Sequence, residues 1–252
     1  MLISHCCSNV NDNLENQIQT IYDYWFSQFD FPDSKGNPYK SNKGQFKWND
    51  TIKRDIPTNW SVGSVAKNTL TKFIKPGVDK FELKTYLATA DVKGSAISEG
   101  TVIDYDNRES RANMQPTEYS VWFAKMKNSI KHITIPSNGQ WFIDKYILST
   151  GMYGFKCSDI CLPYLSAFIS SEYFEKVKNK LSHGATQESV NDNDLKRVKF
   201  LIPEDRILMK FYEKTNKLLL TKFDLIKENQ NLQELRDLLT PLLLREQIKF
   251  CN

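Results

Sequence analysis

The chain has 252 residues, 40% of them hydrophobic and 12% aromatic, which is enough for one sizeable core with appended helices and excludes a disordered chain. No apolar run reaches the length of a membrane-spanning helix, and the start Met1-Leu2-Ile3-Ser4-His5-Cys6-Cys7 lacks the basic flank and apolar centre of a secretory signal, so a cytoplasmic location is expected. The net charge is only +4, split as six Lys/Arg against seven Asp/Glu over residues 1–59, 19 against 15 over 60–203, and nine against eight over 204–252; an excess in the middle favours a polyanionic partner only weakly.

In chain order, Asp12-Asn13-Leu14-Glu15 reads as a capping box that opens a helix. Leu14, Ile18, Ile21, Trp25 and Phe29 then fall on one stripe, and Pro32 is expected to end it. From Pro32 to Pro57 the sequence is turn-rich, a linker with local turns. A globular region begins near Ile56-Pro57-Thr58-Asn59-Trp60. Strands are predicted at 85–90, 120–124, 130–135, 141–147, 152–155 and 198–202, and a helix at 162–181. The expected fold class is α+β, built on an irregular, mostly antiparallel sheet. After Pro203 a long helix is predicted from Glu204 to Thr240, with proline at its start and acids in its first turn. Phe211, Leu218, Leu225, Leu232 and Leu239 recur every seven residues, a coiled-coil-like seam in which the polar Asn229 can fix register.

Few residues suggest catalysis. The chain has no phosphate-binding P-loop, no Gly-x-Gly-x-x-Gly and no Gly-x-Ser-x-Gly. Of five cysteines (Cys6, Cys7, Cys157, Cys161 and Cys251), only Cys157 and Cys161 have a metal-knuckle spacing, and no second pair completes four ligands; reduced thiols and no metal are expected. Asp79, Glu82 and Lys84 resemble the acid–acid–lysine set that holds Mg²⁺ in many nucleases, although the Asp stands unusually close to the Glu. A Mg²⁺-dependent nuclease is therefore the alternative reading.

Two segments suit DNA better. One is the donor-rich stretch Arg108-Glu109-Ser110-Arg111-Ala112-Asn113-Met114-Gln115; the other is Tyr119–His132, which carries Lys125, Lys127 and Lys131 with no acid. Arginine reads guanine edges and Asn or Gln reads adenine through paired bonds, while lysines hold phosphates. The loop Gly184-Ala185-Thr186-Gln187 adds small residues that permit close backbone approach, and Gln187 can reach a base edge.

In sequence order these features resemble one half of the specificity subunit of type I restriction–modification systems. The likeness is carried by Leu14–Phe26, Ile56–Trp60, Ser110-Arg111-Ala112, Ser149-Thr150-Gly151, Gly184–Asn191, Leu195–Pro203 and the close Leu235–Leu244 with Gln247-Ile248-Lys249. The resemblance implies an N-terminal spacer helix and linker (1–55), a target-recognition domain (56–203) and a C-terminal spacer and dimerisation helix (204–252). It departs from the family at Arg245-Glu246, where such subunits usually carry Asn-Gly. It implies a non-catalytic subunit that binds double-stranded DNA and docks methyltransferase and restriction subunits, whose S-adenosylmethionine, Mg²⁺ and ATP belong to those partners; no cofactor is expected for this chain. Arg108, Ser110, Arg111, Lys125, Lys127, Lys131, Thr186, Gln187 and Lys196 are the expected DNA contacts. Leu14, Ile18, Ile21, Trp25, Phe211, Leu218, Leu225, Asn229, Leu232 and Leu239 are expected to face a partner helix, most simply in a homodimer that restores two reading heads. A truncated interaction protein that no longer binds DNA is a further alternative.

Overall fold

The structure is a computed structural model that describes residues 2–185 and 187–244, with side chains described over 10–185 and 187–243. Helix α1 (Leu2–Tyr22) starts well before the expected cap. No Pro or Gly interrupts residues 2–11, so the helix runs through Asp12 and no capping box forms there. Asp12 is exposed, and Glu15 turns inward. The helix passes into a π-helical turn at Asp23–Ser27, where Gln28 N–H donates to the Asp23 carbonyl over 2.9 Å. The wider turn lets the neighbours Trp25 and Phe26 both face inward. Phe29, at φ 67°, then turns the chain left-handed and ends the helix before Pro32 is reached.

The turn-rich linker contains structure that composition did not reveal, a hairpin of β1 (Phe46–Asn49) and β2 (Arg54–Pro57). Next come β3 (Ser61–Ser64), β4 (Thr71–Ile74), β5 (Lys84–Leu87), a short hairpin β6 (Val92–Lys93) and β7 (Ala96–Ile97), β8 (Thr101–Ile103), β9 (Ala112–Met114), β10 (Ser120–Ala124) and β11 (His132–Ile135). Helix α2 (Gln140–Lys145), β12 (Tyr146–Ser149) and β13 (Met152–Cys157) lead to helices α3 (Leu162–Ser170), α4 (Glu172–Leu181) and α5 (Asp192–Leu195), then β14 (Lys199–Ile202) and α6 (Asp205–Leu244).

Two four-stranded sheets form the body. One has the order β11-β10-β13-β4 and is antiparallel throughout. The other has the order β8-β5-β12-β9, parallel only between β5 and β12. β14 pairs with β3. The α+β class with mostly antiparallel pairing is as expected.

Strand β10 is buried at every position because it has a core on each side. Val121 and Phe123 join Phe155, Phe168 and Phe174 under the helices, while Trp122 faces Phe142, Tyr146 and Leu148 on the other side. Alternation along a strand sends neighbours to opposite faces, so two cores need a continuous apolar run. Gly154 opposite Trp122 is required by contact, since a Cβ there would stand 2.6 Å from the indole.

Two predicted elements change character. The strand expected over 141–147 is half helix, because α2 occupies Gln140–Lys145 and buries only Phe142. The helix expected over 162–181 breaks at Ser171, which is extended (φ −71°, ψ 148°) and caps α4 by accepting from Phe174 N–H over 3.2 Å.

The terminal helix α6 has 40 residues, about 60 Å at 1.5 Å per residue. Its buried residues Ile207, Leu208, Phe211, Thr215, Leu219, Lys222, Phe223, Ile226 and Gln230 step by three and four against the chain's own domain. The seven-residue line drifts about 20° per repeat on a straight helix, so it slides off that face: Phe211 is core, whereas Leu218, Leu225, Leu232 and Leu239 are half-buried. In α1 and the π-helical turn after it the same correction applies to Ile18 and Trp25, which belong to the chain's own core, with Leu14 and Ile21 half-buried. Trp25 and Phe26 meet Phe211 with ring centroids 5.6 and 5.1 Å apart. The first part of α6 therefore covers this domain and is not a free seam. Beyond Gln230 none of its described side chains is buried, and Leu235, Leu238 and Leu243 are exposed.

Candidate nucleic-acid interface

One end of the two sheets gathers loops that are distant in sequence. The β12–β13 turn Thr150-Gly151 is the hub. Thr150 N–H donates to the Arg111 carbonyl over 2.9 Å, which fixes the stretch before β9, and Lys125 N–H donates to the Gly151 carbonyl over 3.0 Å, which fixes the loop after β10. Lys125 in turn accepts from Val190 N–H over 3.1 Å, and Lys127 N–H donates to the Glu188 carbonyl over 2.9 Å. The loop between α4 and α5 is thereby laid beside the β10–β11 loop. Gln187 Nε2 reaches Met126 Sδ over 3.1 Å. Lys131 Nζ donates to the Thr89 carbonyl, which brings in the turn that follows β5. A Cβ on Gly151 would stand 2.5 Å from Thr89 Oγ1 and 3.6 Å from Arg111 Nη2, so these groups crowd around one small residue.

Arg111, Lys125, Lys127, Lys131 and Gln187 thus share one rim, with Ser110 exposed beside Arg111. Their charges are not all free. Lys127 Nζ pairs with Glu188 Oε2 at 2.7 Å. Lys125 Nζ lies 4.1 Å over the Tyr153 ring, and burial pushes its pKa down against the opposing pull of Asp192. Burial, and then the hydroxyl's 2.5 Å hydrogen bond to Asp192 Oδ1, raise the Tyr153 pKa. Lys196 is exposed at the end of α5 and donates to Asn193 Oδ1 over 3.0 Å. Arg108 stands apart, folded onto the Tyr105 ring at 4.0 Å with Nη1 donating to the Tyr105 carbonyl over 2.5 Å. Thr186 lies outside the described residues.

Two buried ionic clusters support this rim; one contains a Glu–Lys pair three residues apart on a helix, and the other joins residues distant in sequence. Lys178 on α4 has no exposed side-chain surface; its Nζ donates to the carbonyls of Ala124 (3.3 Å) and Ser129 (2.9 Å) and to Glu175 Oε1 (2.8 Å). Asn179 Oδ1 accepts from Asn128 N–H over 2.8 Å. The last turns of α4 therefore hold the lysine-bearing loop from beneath. The second cluster joins α1, β11 and α6. Glu15 Oε1 lies 2.5 Å from His132 Nε2, and Glu15 Oε2 accepts from Lys222 Nζ over 2.6 Å. Burial alone would raise the Glu15 pKa, but the bond and charge of His132 and the charge of Lys222 outweigh it and hold the carboxyl far below the usual range.

The candidate nuclease residues do not assemble. Asp79 and Glu82 are exposed, and Lys84 Nζ donates to the Ile143 carbonyl over 2.7 Å. A neighbouring open cavity of about 440 Å³ is lined by Asp79 and Lys84 but not by Glu82. Among the described residues no three His, Cys, Asp or Glu side chains are placed to hold a metal ion. Cys157 and Cys161 are free thiols; a hydrogen bond with Cys161, then burial, pushes the Cys157 thiol up. No described helix is long and apolar enough to cross a membrane.

No protein-family model matches the chain, and no curated protein matches it. Among solved structures, it is similar to a chain from work on complex assembly and conformational transition of the type I R-M system, at 18% identity and a TM-score of 0.48, over 77% of this chain and 50% of that one. It is also similar to the HsdS subunit from Thermoanaerobacter tengcongensis, at 18% identity and a TM-score of 0.44, over 76% of this chain and 49% of that one. The chain spans about half the length of the solved chains it matches.

Proposed function

We propose that this chain is a sequence-specific DNA-recognition subunit of a type I restriction–modification system, reading one half of a bipartite site. The observation that carries this reading is the rim itself: main-chain bonds tie Arg111 and Lys125 to one glycine turn and Lys127 to the Glu188 segment, while the side chains of Lys131 and Gln187 reach Thr89 and Met126 beside it. A rim of long donors with backbone close at hand suits a duplex, on which cations contact phosphate and Arg or Gln reads base edges. Residues 56–203 carry that rim as the recognition domain, and the sequence resemblance supplies the biological setting. The exposed leucines of α6 beyond Gln230 give methyltransferase subunits, or a second copy in a homodimer, an apolar face to dock on. The chemistry of methylation and cleavage belongs to those partners, and this chain supplies the address in the cytoplasm.

Selection of binding sequences from a randomised duplex pool, with methyltransferase present, tests the reading. A selected half-site is expected. Arg111→Ala or Gln187→Ala should weaken binding to it by about 1–3 kcal/mol per lost base contact. Lys125→Ala should weaken all duplexes alike. Failure to enrich any sequence, with all three variants indistinguishable from the parent, defeats the proposal.

A further inference from the structure

The hairpin β1–β2 and the loop leading into it form a densely cationic stretch that the rim does not use. Between Ser34 and Pro57 stand Lys35, Lys40, Lys43, Lys47, Lys53 and Arg54 against Asp50 and Asp55, a net +4 that equals the charge of the whole chain. Averaged over residues 1–59 the excess disappears behind Asp12, Glu15, Asp23, Asp30 and Asp33. The fold separates what that average mixes. Asp33 accepts from the N–H groups of Lys35 (2.8 Å) and Asn37 (2.9 Å), and Asp30 accepts from Ser41 N–H and Oγ (2.7 and 2.8 Å), so the flanking acids are engaged in holding the loop's shape.

The cations are left facing solvent. All six are exposed. Lys53 pairs with Asp50 at 3.3 Å, and Arg54 donates to the Ser27 carbonyl over 3.1 Å. Lys35, Lys40, Lys43 and Lys47 make no side-chain hydrogen bond or ion pair with the described residues. Beside them Trp48 is 58% exposed, an unusual place for so large an apolar ring. The hairpin is firmly seated: Phe46 packs 5.9 Å from Phe29 and 5.7 Å from Tyr39, and Ile56 is fully buried. Its seat is the helical layer and not the sheet ends that carry the rim.

Four exposed lysines without a partner among the described residues, flanked by Lys53 and Arg54, gain most from an extended polyanion, because each neutralised phosphate releases condensed counterions. We propose that this hairpin is a second nucleic-acid contact, gripping the phosphate backbone of duplex DNA without reading its sequence; the proposal rests on the reading of the chain as a DNA-binding protein. Trp48 lies flat apolar surface against the sugars beside those phosphates.

The test is a salt titration of the full chain on a 30-base-pair duplex of random sequence, using Lys40→Gln/Lys43→Gln/Lys47→Gln. Among the described residues none of the three side chains has a partner to lose, so thermal unfolding should be unchanged. The slope of log K against log salt should become shallower by about 2–3, near 0.9 for each lost phosphate. DNA should also quench Trp48 emission, a change absent in Trp48→Phe. An unchanged slope in the triple variant overturns the proposal, whatever the emission does, and leaves an acidic protein surface as the hairpin's partner. If the hairpin variant changes the slope while Arg111→Ala and Gln187→Ala bind every duplex normally, the rim reading falls and the hairpin stands. If the parent chain binds no duplex, both fall.

Discussion

Lys178→Met removes the ammonium from beneath the lysine-bearing loop while nearly conserving side-chain volume. In the parent, that ammonium satisfies two main-chain carbonyls and a carboxylate of which only 13% of the side chain is exposed. The variant leaves the Ala124 and Ser129 carbonyls without this donor and Glu175 as a buried charge without its partner. Glu175 Oε2 already lacks a hydrogen-bond partner among the described residues, so the carboxylate has no second support. Removing one member of a buried ion pair costs about 3–5 kcal/mol. At roughly 2–4 °C per kcal/mol for a chain of this size, the melting temperature should fall by about 10 °C. Lys178→Met/Glu175→Leu should recover most of the loss, because an apolar pair replaces the ionic one and no charge is left stranded. Thermal and urea unfolding of the parent and both variants give the comparison. A single variant that loses less than about 1 kcal/mol, or a double variant as unstable as the single, refutes the claim that this lysine holds the loop.

Glu15→Gln should cost on the order of 3 kcal/mol at neutral pH by breaking the cluster that joins α1, β11 and α6. Because the folded-state pKa of Glu15 is depressed, its contribution is complete above the ordinary value near 4.5 and is lost as pH falls below it; the variant should therefore lose stability less steeply in acid, and identical acid slopes would count against the cluster. Gly151→Ala sets a Cβ 2.5 Å from Thr89 Oγ1, which should cost about 1–3 kcal/mol and weaken DNA binding, read by unfolding and by fluorescence anisotropy. Asn229→Leu replaces a side chain whose enclosed oxygen lacks a partner among the described residues. The melting temperature should rise, equivalent to roughly 1 kcal/mol, and a fall would reveal a partner for the amide in solution.

Local pattern decided the elements that were legible in advance. Strand β10 has the bounds expected from sequence because Val121, Trp122 and Phe123 form a strongly β-prone centre, and α6 opens beside Pro203 as a helix start should. The donors of the rim were legible as residue types. Their meeting place was not, since it depends on main-chain bonds between segments such as Arg111 and Thr150 or Lys127 and Glu188. Lys222 lies 207 positions from Glu15 and His132 lies 117, separations at which no periodicity survives. Six residues of α2 escaped for the opposite reason: Trp141, Phe142 and Ile143 favour a strand locally, and burying Phe142 on a short helix overrode that preference.

The leucine repeat of α6 shows how a strong local signal can mark the right element and the wrong face. A seven-residue spacing requires a 3.5-residue turn, and only a supercoiling partner keeps such a line straight. Where α6 packs on its own domain, the buried line follows the 3.6-residue turn instead, through Phe211, Thr215, Leu219, Phe223, Ile226 and Gln230. The leucines of the repeat are thus half-buried edge residues throughout, and the leucines exposed beyond Gln230 are Leu235, Leu238 and Leu243, outside the repeat. Under the proposed function, docking on this helix is therefore expected to rest mainly on residues 231–243. Lys222 is planted in the domain through Glu15, and Glu15 also touches His132 beside the rim's Lys131. A partner that tilts the far end of α6 is therefore expected, under the proposed function, to pull on β11, which adjoins the lysine-bearing loop.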